Sequence, residues 1–175
     1  MSTMTIADRR AIMTTSMLEP DFRALLRRDP RLAIERVTGR AAPGGTRIAV
    51  IEEQADAWEF VIPADAIDAE LPSPNDARSV IENDVYELLR LEPMVRSRVV
   101  GYPKAFLADR LKVDIGDTSV NVREEKAGEI LLILPYADSR EELNDNALDL
   151  VAGGGDPGSQ SANWEAQKEG TQHES

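Results

Sequence analysis

The sequence predicts an α+β fold in which two tandem helix–helix–β-hairpin units share one core of about four strands, followed by a helical junction and a disordered C-terminal tail. Three observations predict this class. Short motifs recur at a nearly constant offset, apolar segments alternate as strands do, and the composition changes after Pro135. A length of 175 residues suits one compact domain, or two very small ones, plus a tail.

The internal repeat is defined by three anchors. Two of them recur at the same offset and the third at an offset one position shorter, so a single slip aligns the two copies. The pairs are Leu18-Glu19-Pro20 with Leu91-Glu92-Pro93, Asp29-Pro30 with Tyr102-Pro103, and Ile62-Pro63 with Leu134-Pro135. Chance similarity is the alternative, but the anchors agree in order as well as spacing. We expect a first unit over residues 1–70 and a second over residues 71–137.

Each copy reads as a helical stretch, a glycine-containing turn and two strand-like segments. The helical stretches are residues 22–37 and 94–111. Strand periodicity is carried by Ile48, Val50, Trp58, Phe60 and Ile62 in the first copy, and by Val120, Val122 and the apolar run 130–134 in the second. The connections, residues 52–56 and 124–128, have hairpin length. Their paired glutamates, Glu52 with Glu53 and Glu124 with Glu125, are therefore expected in solvated turns.

Two further helices are expected. Apolar residues near helical spacing (Ile6, Ile12, Met13 and Met17) predict one close to the N-terminus. Residues 65–75 contain two prolines and read as a connector, after which Asn75 or Asp76 is placed to cap the other helix. Its buried face is expected to carry Val80, Ile81, Val85, Leu88 and Leu89.

The amino-acid composition argues against several classes of function. The formal net charge of −12 disfavours nucleic acid and anionic membrane surfaces as partners. The densest basic cluster (Arg23, Arg27, Arg28 and Arg31) reads as a solvated helix face. The chain has no cysteine, and its only histidine is His173, so the body offers no thiolate, no Cys- or His-based metal site and no Ser-His-Asp triad. No cofactor is expected.

No apolar stretch reaches membrane-spanning length, and no ordinary secretory signal is visible at the N-terminus. We expect no membrane insertion. We expect the chain to be synthesised and folded in the cytoplasm. Export is compatible only with the mature tail peptide.

The sequence predicts a charged helical stretch over residues 138–154 that ends in glycines. Counted back from a cut after Gly154, Leu143, Leu148 and Val151 fall twelve, seven and four residues before the cut. These separations keep the three side chains on one helical stripe, which suits recognition in a groove. Gly153 and Gly154 lack a Cβ and can thread a narrow cleft. The alternative for the glycines alone is a helix C-cap followed by a linker.

This junction resembles the double-glycine leader end recognised by papain-like peptidase domains of bacteriocin-exporting ABC transporters. The body resembles the nitrile-hydratase-like leader family of modified-peptide precursors (proteusin type). The matching stretches are residues 22–31, 48–52 and 60–63 in the first copy and residues 103–107, 113–116, 120–122 and 130–135 in the second. The resemblance implies a precursor of a ribosomally synthesised, post-translationally modified peptide.

Two departures limit what the resemblance implies. Such leaders usually carry one copy of the unit, whereas this chain carries two. The related hydratase enzyme has a cysteine-rich metal-binding motif, and this chain has no cysteine. Its catalytic chemistry therefore does not carry over, and we expect the chain not to be an enzyme.

The tail, residues 155–175, is the candidate core peptide, with too few apolar residues to fold alone. Trp164 is the first-ranked target for modification, because it is the only aromatic ring besides His173 in this segment. Lys168 lies four residues later and offers an aliphatic partner for a crosslink. Hydroxylation of Asn163 or His173 is an alternative. Dehydration of Ser159, Ser161 or Thr171 and amide bonds between Glu and Lys side chains are further alternatives, and the sequence does not choose among them.

The expected partners are a maturation enzyme and a peptidase-containing ABC transporter or similar protease, and a homodimer is also compatible with the sequence. Two other functions are open. One is a non-catalytic binding or adaptor module with an incidental tail. The other is an enzyme restricted to carboxylate, Ser, Lys and Tyr chemistry.

Overall fold

A computed structural model of the chain describes residues 4–65, 67–68 and 70–137. The first repeat contains α1 (Ile6–Leu18), α2 (Pro20–Arg28), α3 (Pro30–Thr38), β1 (Arg47–Glu52) and β2 (Ala57–Ile62). The second repeat contains α4 (Ala77–Leu91), a 3₁₀ turn (Pro93–Val95), α5 (Arg96–Gly101), α6 (Pro103–Phe106), a π-helical turn (Leu107–Leu111), β3 (Ser119–Glu124) and β4 (Glu129–Leu134). The predicted α+β class with about four strands is confirmed for this part of the chain.

Local sequence signals set the helix ends. Thr5 and Asp76 cap α1 and α4, and each takes part in a reciprocal capping box. In each repeat the last helical segment ends at a residue in the left-handed region, with φ of 68° at Gly39 and 56° at Lys112. These two positions are separated by the same offset as Leu18 and Leu91, so the repeat extends to the helix terminations.

The strands pair between the repeats and not as hairpins. β1 is parallel to β4, with Arg47 opposite Glu129, and β2 is parallel to β3, with Ala57 opposite Ser119. In the other repeat, the counterpart of Arg47 is Ser119 and the counterpart of Glu129 is Ala57, and these two counterparts are themselves paired. The two strand pairs are therefore related by a pseudo-twofold. The predicted pairing within hairpins is therefore corrected. Connection length allowed a hairpin, but each connection instead carries the chain from one sheet to the other.

This exchange produces two equivalent cores, each built from both repeats. The first core packs α1, α2 and α3 on β1 and β4, with Phe22 and Leu132 almost fully buried. The second packs α4, α5 and α6 on β2 and β3, with Phe106 and Ile62 almost fully buried. Each helical layer therefore covers one strand of its own repeat and one strand of the other.

The connector and α4 follow the sequence expectation with one exception. Ile67 and Leu71 of the connector pack against the second core, and Asp68 accepts a 3.0 Å hydrogen bond from the Ile6 N–H at the start of α1. On α4, Val85 and Leu89 are buried and Ile81 and Leu88 pack at the margin. The prediction was wrong for Val80, which is 45 % exposed because it lies on the side of α4 opposite the buried Val85 and Leu89.

Candidate functional site

The junction and tail residues that were predicted to act lie outside the described residues and stay predictions. They are Leu143, Leu148, Val151, Gly153 and Gly154 for recognition and cleavage, and Asn163, Trp164, Lys168 and His173 for modification. Within the described part, side chains of the two repeats together form a buried ionic network. We call this network the inter-repeat clamp, and its members are Glu53, Arg78, Glu125, Arg9, Glu82 and Arg10.

The first half of the clamp is centred on Glu53, which is only 7 % exposed. Its carboxylate oxygen Oε1 accepts a 2.9 Å hydrogen bond from the backbone N–H of Glu59. Arg78 on α4 donates through Nη1 to Glu53 Oε2 and through Nη2 to the Glu59 carbonyl, both at 2.9 Å. One guanidinium of the second repeat therefore holds both the β1–β2 connection and the strand β2 of the first repeat.

The second half has the same geometry with the repeats exchanged. Glu125 is 8 % exposed, and its Oε1 accepts a 2.7 Å hydrogen bond from the Leu131 N–H. Arg9 on α1 donates through Nη2 to Glu125 Oε2 at 2.9 Å and through Nη1 to the Leu131 carbonyl at 2.8 Å. Glu125 and Leu131 are the repeat counterparts of Glu53 and Glu59, so equivalent backbone positions make the same bonds.

Glu82 and Arg10 add a further layer to the clamp. Glu82 accepts a 2.8 Å hydrogen bond from Arg78 Nε and lies 3.8 Å from Arg10 Nη2. Arg10 also donates to the Pro72 carbonyl at 3.1 Å, which ties the connector to the helices. Burial alone would lower the pKa of Arg78, but the carboxylates of Glu53 and Glu82 outweigh burial and raise it. Arg78 therefore stays charged throughout the physiological range.

A cavity of about 40 Å³ lies beside the clamp, and both repeats contribute to its wall. Arg9 and Arg10 line it, and the Nε atom of each is buried without a hydrogen-bond partner. Tyr86 also lines the cavity and donates a 2.7 Å hydrogen bond to the Val61 carbonyl. Burial, reinforced by the Glu82 charge, raises the pKa of Tyr86 far above its ordinary value. The cavity admits water but is well below the roughly 300 Å³ of small-molecule sites.

The clamp geometry is suited to holding the repeats together. Glu53 and Glu125 are each occupied by a guanidinium and a backbone N–H, so neither is placed to act as a general base on a substrate. In residues 4–65, 67–68 and 70–137, no group of three or more His, Cys, Asp or Glu side chains could hold a metal ion. Over the same ranges, no helix has the length and hydropathy needed to cross a bilayer.

The expectation of solvated turns was wrong for Glu53 and Glu125. Their neighbours Glu52 and Glu124 are the exposed members of each pair, because alternation along an extended segment turns adjacent side chains to opposite sides. The partners Arg9 and Arg78 were also missed. The available signal was the recurrence of Glu-Glu at the same place in both copies, which a chance charge run would not show.

Exposed apolar corners lie where the first helix of each repeat ends. Leu18 and Leu91 are equivalent positions of the repeat, and both are exposed. Met17 extends the first corner, and Met94, which is 91 % exposed, extends the second. Exposed apolar residues mark a contact surface where they form a contiguous patch.

No protein-family model matches the chain. A search of curated proteins gives no match either. Among solved structures, the chain is similar to a crystal structure of a thiocyanate hydrolase mutant, with 16 % sequence identity and a TM-score of 0.46. The similarity covers 77 % of this chain, and the chain spans 61 % of the length of that one. A similarity of this degree carries no inference about activity.

Proposed function

We propose that this chain is the precursor of a ribosomally synthesised, post-translationally modified peptide. The observation that carries the proposal is the sequence pattern of the junction, with Leu143, Leu148 and Val151 in register before Gly153-Gly154. This pattern begins nine residues after Leu134, the last residue of β4, and is followed by a polar segment. A folded body, a recognition stripe and a polar product segment thus follow one another in the order that such a precursor needs.

In this proposal the body is a leader that docks a maturation enzyme, and residues 155–175 are the substrate. Tethering keeps the substrate near the docked enzyme at an effective concentration on the order of millimolar. A poor substrate sequence can therefore still be processed. A peptidase-containing transporter or similar protease then grips the apolar stripe and cuts after Gly154.

The geometry of the body supports the leader role. The clamp and the exchanged strands bury charged and apolar groups of both repeats together, so the second copy completes the fold of the first. A leader of this kind can stay folded while the C-terminal segment is modified and removed.

The test is cleavage of the full chain by a purified double-glycine peptidase domain, followed by intact mass measurement. We expect a cut between Gly154 and Gly155. Gly153→Leu is expected to block the cut because a side chain there clashes with the narrow cleft. Gly158→Leu, which lies beyond the junction, is the matched control and should be cut normally. Resistance of the unmodified chain, while a known double-glycine leader is cut, would contradict the proposal.

A binding or adaptor module is the second candidate, and the equivalent exposed corners at Leu18 and Leu91 favour it. The same cleavage assay separates the two candidates. An adaptor with an incidental tail would survive the peptidase intact, and its partner would bind equally well after deletion of residues 155–175.

A further inference from the structure

Two buried arginine N–H groups beside the clamp find no acceptor in the described part of the chain. They are the Nε–H groups of Arg9 and Arg10, and both side chains line the cavity of about 40 Å³ to which both repeats contribute. The Arg10 side chain is only 8 % exposed. A buried donor that has lost its hydration without gaining an acceptor is costly, so such groups in folded proteins usually bind an ordered water.

The carboxylate of Glu82 supplies an acceptor at the same cavity. Its Oε1 accepts the hydrogen bond from Arg78, whereas Oε2 accepts none from residues 4–65, 67–68 and 70–137. Arg10 Nη2 lies 3.8 Å from Glu82 Oε2, which is too far for a direct hydrogen bond, although both side chains are only 8 % exposed. A polar separation of this length between buried groups is typical of a contact that a water molecule bridges.

The size and the charge of the cavity also fit water. A volume of about 40 Å³ exceeds the roughly 10–15 Å³ that one water needs, so one or two molecules fit. A water held inside a protein needs two to four polar partners, and the two Nε–H groups and Glu82 Oε2 provide three. The clamp contains three arginines and three glutamates, so its formal charges cancel and a small anion gains no net attraction there.

We propose that this cavity binds ordered water, which accepts hydrogen bonds from the Nε–H groups of Arg9 and Arg10 and donates one to Glu82 Oε2. Arg9 and Arg10 lie on α1 of the first repeat, and Glu82 lies on α4 of the second. The water therefore joins the two repeats at a third place, beside the two halves of the clamp. This binding site goes beyond the proposed precursor role. The two proposals fail separately, because the cleavage assay measures a cut at the junction and the tests of the cavity measure the body.

The first test is a rotating-frame NMR experiment on the ¹⁵N-labelled full chain, which detects transfer of magnetisation between water and the arginine Nε–H groups. The sign of each cross-peak separates dipolar contact with a bound water from chemical exchange with the solvent. We expect dipolar cross-peaks to water at the Nε–H groups of both Arg9 and Arg10. The absence of these two cross-peaks would overturn the proposal.

A cavity-filling variant tests what the water contributes. Met13 lines the cavity, so Met13→Phe places a larger apolar side chain in the space that the water needs. We expect the dipolar cross-peaks to disappear and the urea midpoint of unfolding to fall, because a phenyl ring does not replace the hydrogen bonds of the water. Met13→Leu, which has a side chain of similar size, is the matched control and should keep both cross-peaks. A midpoint that rises in Met13→Phe would indicate a dry cavity and overturn the proposal.

If Met13→Phe does not fold, the measurements on the unmodified chain still decide the proposal, and a salt titration completes them. Chloride is an anion small enough for the cavity, whereas sulfate is too large for about 40 Å³. We expect the Nε–H signals of Arg9 and Arg10 to respond alike to sodium chloride and sodium sulfate at equal ionic strength. A saturating shift that chloride alone produces would assign the cavity to a small anion and overturn the assignment to water.

Discussion

Replacing Arg78 by alanine removes the cation that joins the two repeats on one side of the clamp. The guanidinium contacts Glu53, Glu82 and the Glu59 carbonyl, and the two carboxylate side chains are only 5 % and 8 % exposed. Removing one partner of a buried ion pair costs about 3–5 kcal/mol, because the remaining charge stays buried without compensation. Arg78 itself is 24 % exposed, so water can partly replace it. We therefore expect a loss near the lower end, about 3 kcal/mol in the free energy of unfolding.

The measurement is urea unfolding of the full chain, followed by far-UV circular dichroism. Arg90→Ala is the matched control, because Arg90 lies on the same helix and pairs with Glu87 in an exposed position. That pair is solvated on both sides, so its loss should leave the unfolding midpoint unchanged. A loss below about 1 kcal/mol for Arg78→Ala would show that the clamp is effectively solvated and would refute the reasoning.

Four further predictions concern single residues. The pKa of Tyr86 is raised above the ordinary 10.0, so the stability that Tyr86 contributes is complete below that value and is lost as pH rises above it. The unfolding midpoint should fall above about pH 10, and less steeply in Tyr86→Phe, as urea titrations at several alkaline pH values would show. Asp76→Ala should cost about 1 kcal/mol through loss of the α4 cap, whereas Asp76→Asn should keep most of it. Burial raises the pKa of Asp76, but hydrogen bonds from Ser79 outweigh burial and lower it, so this stability is present at neutral pH and is lost on acidification. Thermal unfolding at neutral and acidic pH would detect a weaker acid dependence in Asp76→Asn. Gly39→Ala should cost about 1 kcal/mol from backbone strain alone, because φ is 68° and nothing lies within 4 Å of an added Cβ. Lys112→Gly, at the equivalent position, should shift the melting temperature upwards.

The sequence predicted features that depend on local pattern. The strand through Ile48 and Val50, the cap at Asp76 and the proline-anchored repeat are each encoded within a few residues, and the structure contains all three. The same reasoning extended to α4 failed at Val80, which lies on the side of the helix opposite its buried residues.

Strand partners and the clamp were not predictable in the same way. A short connection is compatible with a hairpin and with a crossing to another sheet, and the choice depends on packing between segments that lie a whole repeat apart in the sequence. Adjacent glutamates are usually solvated, so Glu53 and Glu125 gave no sign of burial by themselves. Their arginine partners come from the other repeat, which only the tertiary structure brings close.

The precursor role is tested most directly by the masses of the fragments that a double-glycine peptidase domain releases from the full chain. Cleavage after Gly154 predicts two fragments, residues 1–154 and residues 155–175, from the unmodified chain and none from Gly153→Leu. An intact chain under conditions that cut a known double-glycine leader, or a cut at any other position, would contradict that role.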